Sequence, residues 1–232
     1  MSIYYHSESV HNLNTPRQVA PLICNMLSPK SVLDVGCGLG TWLTAFSELG
    51  IQDYVGVDGD HVDKSRLTID QSHFKVQNLT RSWNLGRKYD LVICLEVAEH
   101  LPDSASDLLV EALTQHGDVI IFSAAIPGQG GQNHINEQWT SYWQNKFSKL
   151  GFYFHDALRP LIWKNKSIEW WYKQNMFLVS REPSQKEILD MIHPDLFEEK
   201  VKLIDDTYSG RIGVQLSAGL MGKAVKKWMK LD

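Results

Sequence analysis

Short runs of β-branched and apolar residues alternate along the chain with longer segments of helical periodicity. The candidate strands are 31–35 (SVLDV), 54–58 (YVGVD), 73–76 (HFKV), 89–95 (YDLVICL), 118–124 (DVIIFSA), 152–157 (FYFHDA) and 175–180 (NMFLVS). Helices are predicted over 15–28, 41–49, 103–115 and 137–149, with Gly50, Gly117 and Gly151 as their C-terminal caps. Such alternation predicts an α/β architecture, a seven-stranded and mostly parallel sheet with helices on both faces. After Arg181 the character changes. Residues 182–210 read as one or two polar helices and VQLSAGLMGKAVKKWMK as a short amphipathic one, which divides the chain into a sheet domain, 1–181, and a helical C-terminal extension, 182–232.

Composition narrows the function classes. With 232 residues, 43% of them apolar and 22% charged, the chain has mass for one ordinary core. A formal charge of −4 offers no electrostatic footprint for nucleic acid or an anionic membrane, and the basic run KAVKKWMK is short. Cys24, Cys37 and Cys94 are odd in number and widely spaced, which predicts free thiols in a reducing compartment. No cationic start leads into an apolar run, and no uncharged stretch reaches the length of a membrane span. The expectation is a cytoplasmic protein with no transmembrane segment.

The first chemical signal is SVLDVGCGLGTW. A strand runs through Asp34 into Gly36, Gly38 and Gly40, a turn that lets backbone approach a ligand at a helix N-terminus. A dinucleotide turn would read G-x-G-x-x-G, and here the third glycine arrives one position early. Asp58 ends the second strand, where it either accepts from a ribose diol or caps a helix. Asn78 follows the third strand, either recognising a base or forming an Asx turn.

The fourth strand leads into LEVAEHL, which puts Glu96, Glu99 and His100 at i, i+3 and i+4, on one face if a helix starts at Glu96. After the fifth strand comes IPGQGGQNHINEQW. Its glycines permit unusual dihedrals, and His134, Asn136, Glu137 and Gln138 offer polar groups to a hydroxylated acceptor. Trp170, Trp171 and Tyr172 are either core aromatics or a platform for an apolar sugar face, with Trp139, Tyr142 and Trp143 adding to an aromatic wall.

The glycine turn with its preceding acid resembles motif I of the class I S-adenosylmethionine (SAM) methyltransferases, whose fold is Rossmann-like. E-x-x-E-H is similar to the motif of ubiquinone-pathway O-methyltransferases and of small-RNA 2′-O-methyltransferases. As a whole, residues 15–180 resemble a bacterial class I family associated with glycan or secondary-metabolite gene sets and carrying the IPGQGG–HINEQW run. The resemblance implies that Asp34, Gly36, Cys37, Gly38, Gly40 and Trp42 surround the donor's methionine part, Asp58 and Gly59 its ribose, and Asn78 and Leu79 its adenine. Glu96 is assigned to the donor's amino end or to a metal. It also implies a divalent ion (Mg²⁺ or Mn²⁺) on Glu96, Glu99, His100 and His134. In the metal-free alternative Glu99 and His100 only cap a helix and His134 is the base. His134, His100 and Glu137 are thus the candidate catalytic residues. The activity expected is SAM-dependent O-methylation of a saccharide or sugar-like metabolite. A nucleic-acid 2′-O-methyltransferase and a non-catalytic SAM-binding subunit are the alternatives. The amphipathic tail is read as a homodimer contact or a weak membrane anchor.

Overall fold

The structure, a computed structural model, describes residues 12–184 and 188–208, the side chains of 205–208 excepted. The described residues form two compact units that divide between Met191 and Ile192.

The first unit is built on seven strands: β1 (Ser31–Val35), β2 (Asp53–Asp58), β3 (Phe74–Val76), β4 (Leu91–Leu95), β5 (Val119–Ser123), β6 (Tyr153–His155) and β7 (Phe177–Ser180). Their order is β3-β2-β1-β4-β5-β7-β6. The first five run parallel, and β7 lies antiparallel between β5 and β6. Because side chains alternate along a strand, β4 sends Leu91, Ile93 and Leu95 into one core and Val92 and Cys94 into the other. Helices α1 (Asn14–Leu27) and α2 (Thr41–Glu48) cover the first face through Val19, Ile23, Leu43 and Phe46. On the other face, α3 (Ser106–His116) and α4 (Thr140–Ser148) bring in Leu109, Leu113, Trp143 and Phe147. The sheet is thus buried on both sides, and the chain reverses its direction of winding between β1 and β4, where open α/β sheets form their ligand crevice at the strands' C-terminal ends.

The short helices α5 (Arg159–Ile162) and α6 (Trp170–Asn175) connect β6 to β7. Arg159, almost fully buried, joins them: it forks onto Asp156, donates to the Gln174 carbonyl at 3.1 Å and lies over the Phe177 ring. Beyond β7, Asp190 accepts from Ser141 N–H (3.1 Å) and Oγ (2.7 Å) at the start of α4, while Gln174 Nε2 donates to the Met191 carbonyl. These ties keep the segment after Arg181 with the sheet, ten residues beyond the boundary expected from composition. The second unit carries α7 (Pro194–Tyr208), a polar helix as the composition predicted. The amphipathic and basic stretch within 209–232 lies outside the described residues.

Some expected elements change form. Gly50 and Gly151 do take the left-handed conformation of a C-cap, whereas Gly117 is extended (φ −168°). A Cβ there would lie 2.7 Å from Val92 Cγ2, so glycine serves close packing against β4 and not a cap. No α-helix starts at Glu96: its φ is +54°, and a 3-10 turn spans Ala98–His100. Helix α4 begins at Thr140 and not at 137. Among the described residues no helix is long and apolar enough to cross a membrane, and Cys24, Cys37 and Cys94 are free thiols.

Candidate functional site

The glycine turn hangs from the end of β1. Gly36 and Cys37 donate their N–H groups to the Val57 carbonyl, and Gly40 N–H returns to the Cys37 carbonyl. Left-handed conformations at Gly36 (φ 78°), Gly38 (53°) and Gly40 (82°) make this path possible. It is also tight: a Cβ on Gly36 would lie 2.3 Å from Val97 Cγ2, and one on Gly40 2.8 Å from Ile69. Asp58 holds the turn from the next strand, accepting from Gly38 N–H at 2.7 Å and from its own neighbour Gly59 at 2.6 Å. It therefore stabilises the turn, with lone pairs to spare on each oxygen. Beneath it, Asp34 is buried and its Oδ2 has no hydrogen-bond partner. Burial, then the charge of Asp58, pushes the Asp34 carboxyl well above the usual range. The same surroundings raise the Cys37 thiol, which remains inert.

Further along the edge the residues expected for adenine are less committed to a ligand. Asn78 forms the Asx turn, its Oδ1 accepting from Thr80 N–H (2.9 Å) and Oγ1 (2.7 Å). Leu79 is buried in the core beneath it.

After β4, Glu96 is fixed by its N–H to the Ser123 carbonyl (3.1 Å) and Oγ (3.0 Å). Its carboxylate receives Gln129 Nε2 at 2.8 Å and Asn175 Nδ2 at 3.0 and 3.3 Å. Burial pushes Glu96 upward, and those amide donors oppose the shift by stabilising the anion. Glu99 is fully buried, and neither of its carboxylate oxygens has a hydrogen-bond partner of normal geometry. Burial, then the charge of Glu96, holds the Glu99 carboxyl well above the usual range.

The loop between β5 and α4 folds back onto this turn. Ile135 and Asn136 both donate their N–H groups to the Glu99 carbonyl (2.9 and 3.1 Å), and Gln138 N–H reaches the Ala125 carbonyl. Glu137, expected in a helix, instead gathers the loop: it accepts from Gly128 N–H (2.8 Å), Gly130 N–H (2.6 Å) and His134 Nδ1 (2.9 Å). A carboxylate on Nδ1 places the proton there and leaves Nε2 as the basic nitrogen. The His134 ring meets that of His100 edge to face at 4.9 Å. One potential ligand atom each from Glu99, His100 and His134 lies within 4.8 Å of the others. Glu96, expected as a fourth ligand, stands outside this trio because the backbone leaves the helical path and two amides hold its carboxylate.

The aromatic wall is divided. Trp143 is core, packed on Phe122 at 2% exposure, and Tyr142 donates to Asp103. Trp139 is exposed on the site loop. Trp170, Trp171 and Tyr172 are half-buried on α6, with Trp42 Nε1 donating to Tyr172 Oη at 3.4 Å. Gln129 was not singled out from sequence, and Asn175 was expected only as a polar neighbour, with Lys173 and Gln174, of the aromatic platform.

Comparisons with known proteins bear on the family and the fold. A family model described as a methyltransferase domain matches residues 12–165. A ubiquinone biosynthesis O-methyltransferase from Actinobacillus pleuropneumoniae is 32% identical over 111 residues, 43% of this chain and 47% of that protein. The chain spans about half the length of the curated relatives it matches. Among solved structures, magnesium protoporphyrin IX methyltransferase from Synechocystis, with bound SAH, superposes with TM-score 0.55 at 22% identity, covering 73% of this chain and 83% of that one. A SAM-bound amino pentose methyltransferase from Micromonospora echinaspora gives 0.53 at 13% identity, covering 78% and 99%. Both share the fold, and with well over half of its length matched by the family model, the chain belongs to the methyltransferase-domain family.

Proposed function

We propose that the chain is a SAM-dependent O-methyltransferase whose acceptor is a hydroxyl of a saccharide or sugar-like metabolite. The observation that carries the reading is the His134–Glu137 pair, hydrogen-bonded at 2.9 Å on the loop that folds back onto the turn after β4. Four buried or half-buried carboxyls, Asp34, Asp58, Glu96 and Glu99, line that edge, which suits a sulfonium and an ammonium better than phosphates. The unpartnered Asp34 Oδ2 fits such a donor. Asp34, Gly36, Cys37, Gly38, Gly40 and Trp42 take its methionine end, Asp58 and Gly59 its ribose, and Asn78 and Leu79 flank its adenine.

SAM supplies a methyl group already activated by the positive sulfur, so alignment contributes most of the acceleration. His134 Nε2 takes the proton of the acceptor hydroxyl, with Glu137 holding the ring and stabilising the imidazolium. The freed oxygen pair then forms the bond to the methyl carbon as the carbon–sulfur bond breaks, its electrons staying on sulfur. Glu99, His100 and His134 also fit a divalent ion: the buried carboxylate of Glu99, beside the two imidazoles, is the oxygen donor such an ion would use. A bound Mg²⁺ or Mn²⁺ would supply Lewis acidity toward the hydroxyl, and His134 would then serve as ligand and not as base. A second acceptor class, a hydroxylated ubiquinone precursor, is favoured by the names of the sequence relatives. Transfer of labelled methyl from SAM to nucleotide sugars, free glycosides and ubiquinone precursors, with Mg²⁺ or with EDTA, tests both points. Transfer to a sugar supports the reading, and its loss in EDTA selects the metal form. Transfer only to ubiquinone precursors moves the acceptor to that class, and no transfer from the purified chain would leave a SAM-binding subunit.

A further inference from the structure

Helix α6 lies beyond the residues matched by the family model, and from sequence alone its aromatics are either core or a sugar platform. Geometry links it elsewhere. Tyr172 and Asn175, three apart, share one helical face. Tyr172 Oη meets Trp42, two residues past Gly40, and the two rings pack edge to face at 5.4 Å. Asn175 reaches Glu96 at 3.0 Å and Gln129 Oε1 at 2.8 Å. Glu96 in turn adjoins Val97, whose methyl groups lie directly against Gly36. Both contacts of α6 therefore end on residues bordering the glycine turn.

Asn175 is 3% exposed, and its Oδ1 has no hydrogen-bond partner. A buried amide oxygen left bare is costly unless a ligand donates to it. Together with the Glu96 carboxylate beside it, it forms a pair of acceptors suited to a group with several N–H bonds. We propose that α6 is a wall of the methyl-donor site and that Asn175, with Glu96, receives the donor's α-ammonium group, while Tyr172 holds Trp42 over the methionine chain. The inference rests on the SAM reading above and adds Asn175 and Tyr172 to the donor-binding residues. It removes Tyr172 from the acceptor platform.

Calorimetric titration of SAM into the wild type, Glu96→Gln, Asn175→Ala and the double variant tests it. Asn175→Ala is expected to bind SAM at least about tenfold more weakly when titrated well below its own thermal midpoint. Because the two side chains act on one group, the double variant should lose less than the two single losses combined. Tyr172→Phe should weaken binding by a smaller factor. Should Asn175→Ala fail to fold, Asn175→Asp, which sets a second carboxylate against Glu96, is expected to weaken binding likewise. If the wild type binds SAM and Glu96→Gln weakens it while the Asn175 variants bind normally, this inference fails alone. If the wild type does not bind SAM, the underlying reading fails with it.

Discussion

At Gly131 a single methyl group would meet the nitrogen on which the proposed chemistry depends. An added Cβ would lie 2.3 Å from His134 Nε2, far inside contact distance. Gly131→Ala must therefore displace the imidazole, and a displacement near 1 Å costs about 10²-fold in rate. SAM affinity should be unchanged, since Gly36, Gly38 and Asp58 are untouched. A kcat measurement beside SAM titration checks this, and an unaltered kcat would place the reacting groups away from Nε2. At this scale the sequence was informative about residue types and less so about partnerships. Glycines clustered with histidine and glutamate pointed to a loop of unusual dihedrals, and Gly128, Gly130 and Gly131 all take positive φ. That Glu137 would clasp Gly128, Gly130 and His134 together depended on α4 starting three residues later than periodicity suggests.

At the scale of elements, His116 shows how a buried titratable group joins two of them. The last residue of α3, it donates from Nδ1 to the Ala112 carbonyl (2.6 Å), accepts Leu85 N–H on Nε2 (2.8 Å) and stacks on Trp83. Only the neutral ring can do both, and burial lowers its pKa below the usual value. Folded pKa below unfolded pKa means a contribution that is complete above about pH 6.5 and is lost as the pH falls through the folded value. Urea unfolding between about pH 7 and about pH 5 should therefore show a larger fall in stability for the wild type than for His116→Gln. Parallel slopes would remove His116 as the cause. Elements whose identity rests on local signals, β1, β2, β4 and the glycine turn, were legible because β-branched runs and glycines act within a few residues. The turn after Glu96 was not: E-x-x-E-H fits a helix, and the left-handed backbone at Glu96 is compatible with contacts from Ser123, Gln129 and Asn175, up to 79 residues away.

Across the whole molecule, the winding order places the ends of β1, β2, β4 and β5 along one edge, so residues far apart in sequence become one site. On the proposed reading, the donor would be held at the β1–β4 switch point and the acceptor would meet the loop after β5. Such a division predicts separable effects of mutation. The α6 contribution was hidden in the sequence because it depends on β7 inserting antiparallel beside β5, which brings Asn175 to Glu96. The most direct test of the account is methyl transfer at saturating SAM by His134→Ala, on preparations whose SAM affinity is measured by calorimetry. The expected result is wild-type affinity with turnover reduced about 10²- to 10⁴-fold. Turnover near wild type would contradict the account, since it would put the chemistry outside the loop after β5.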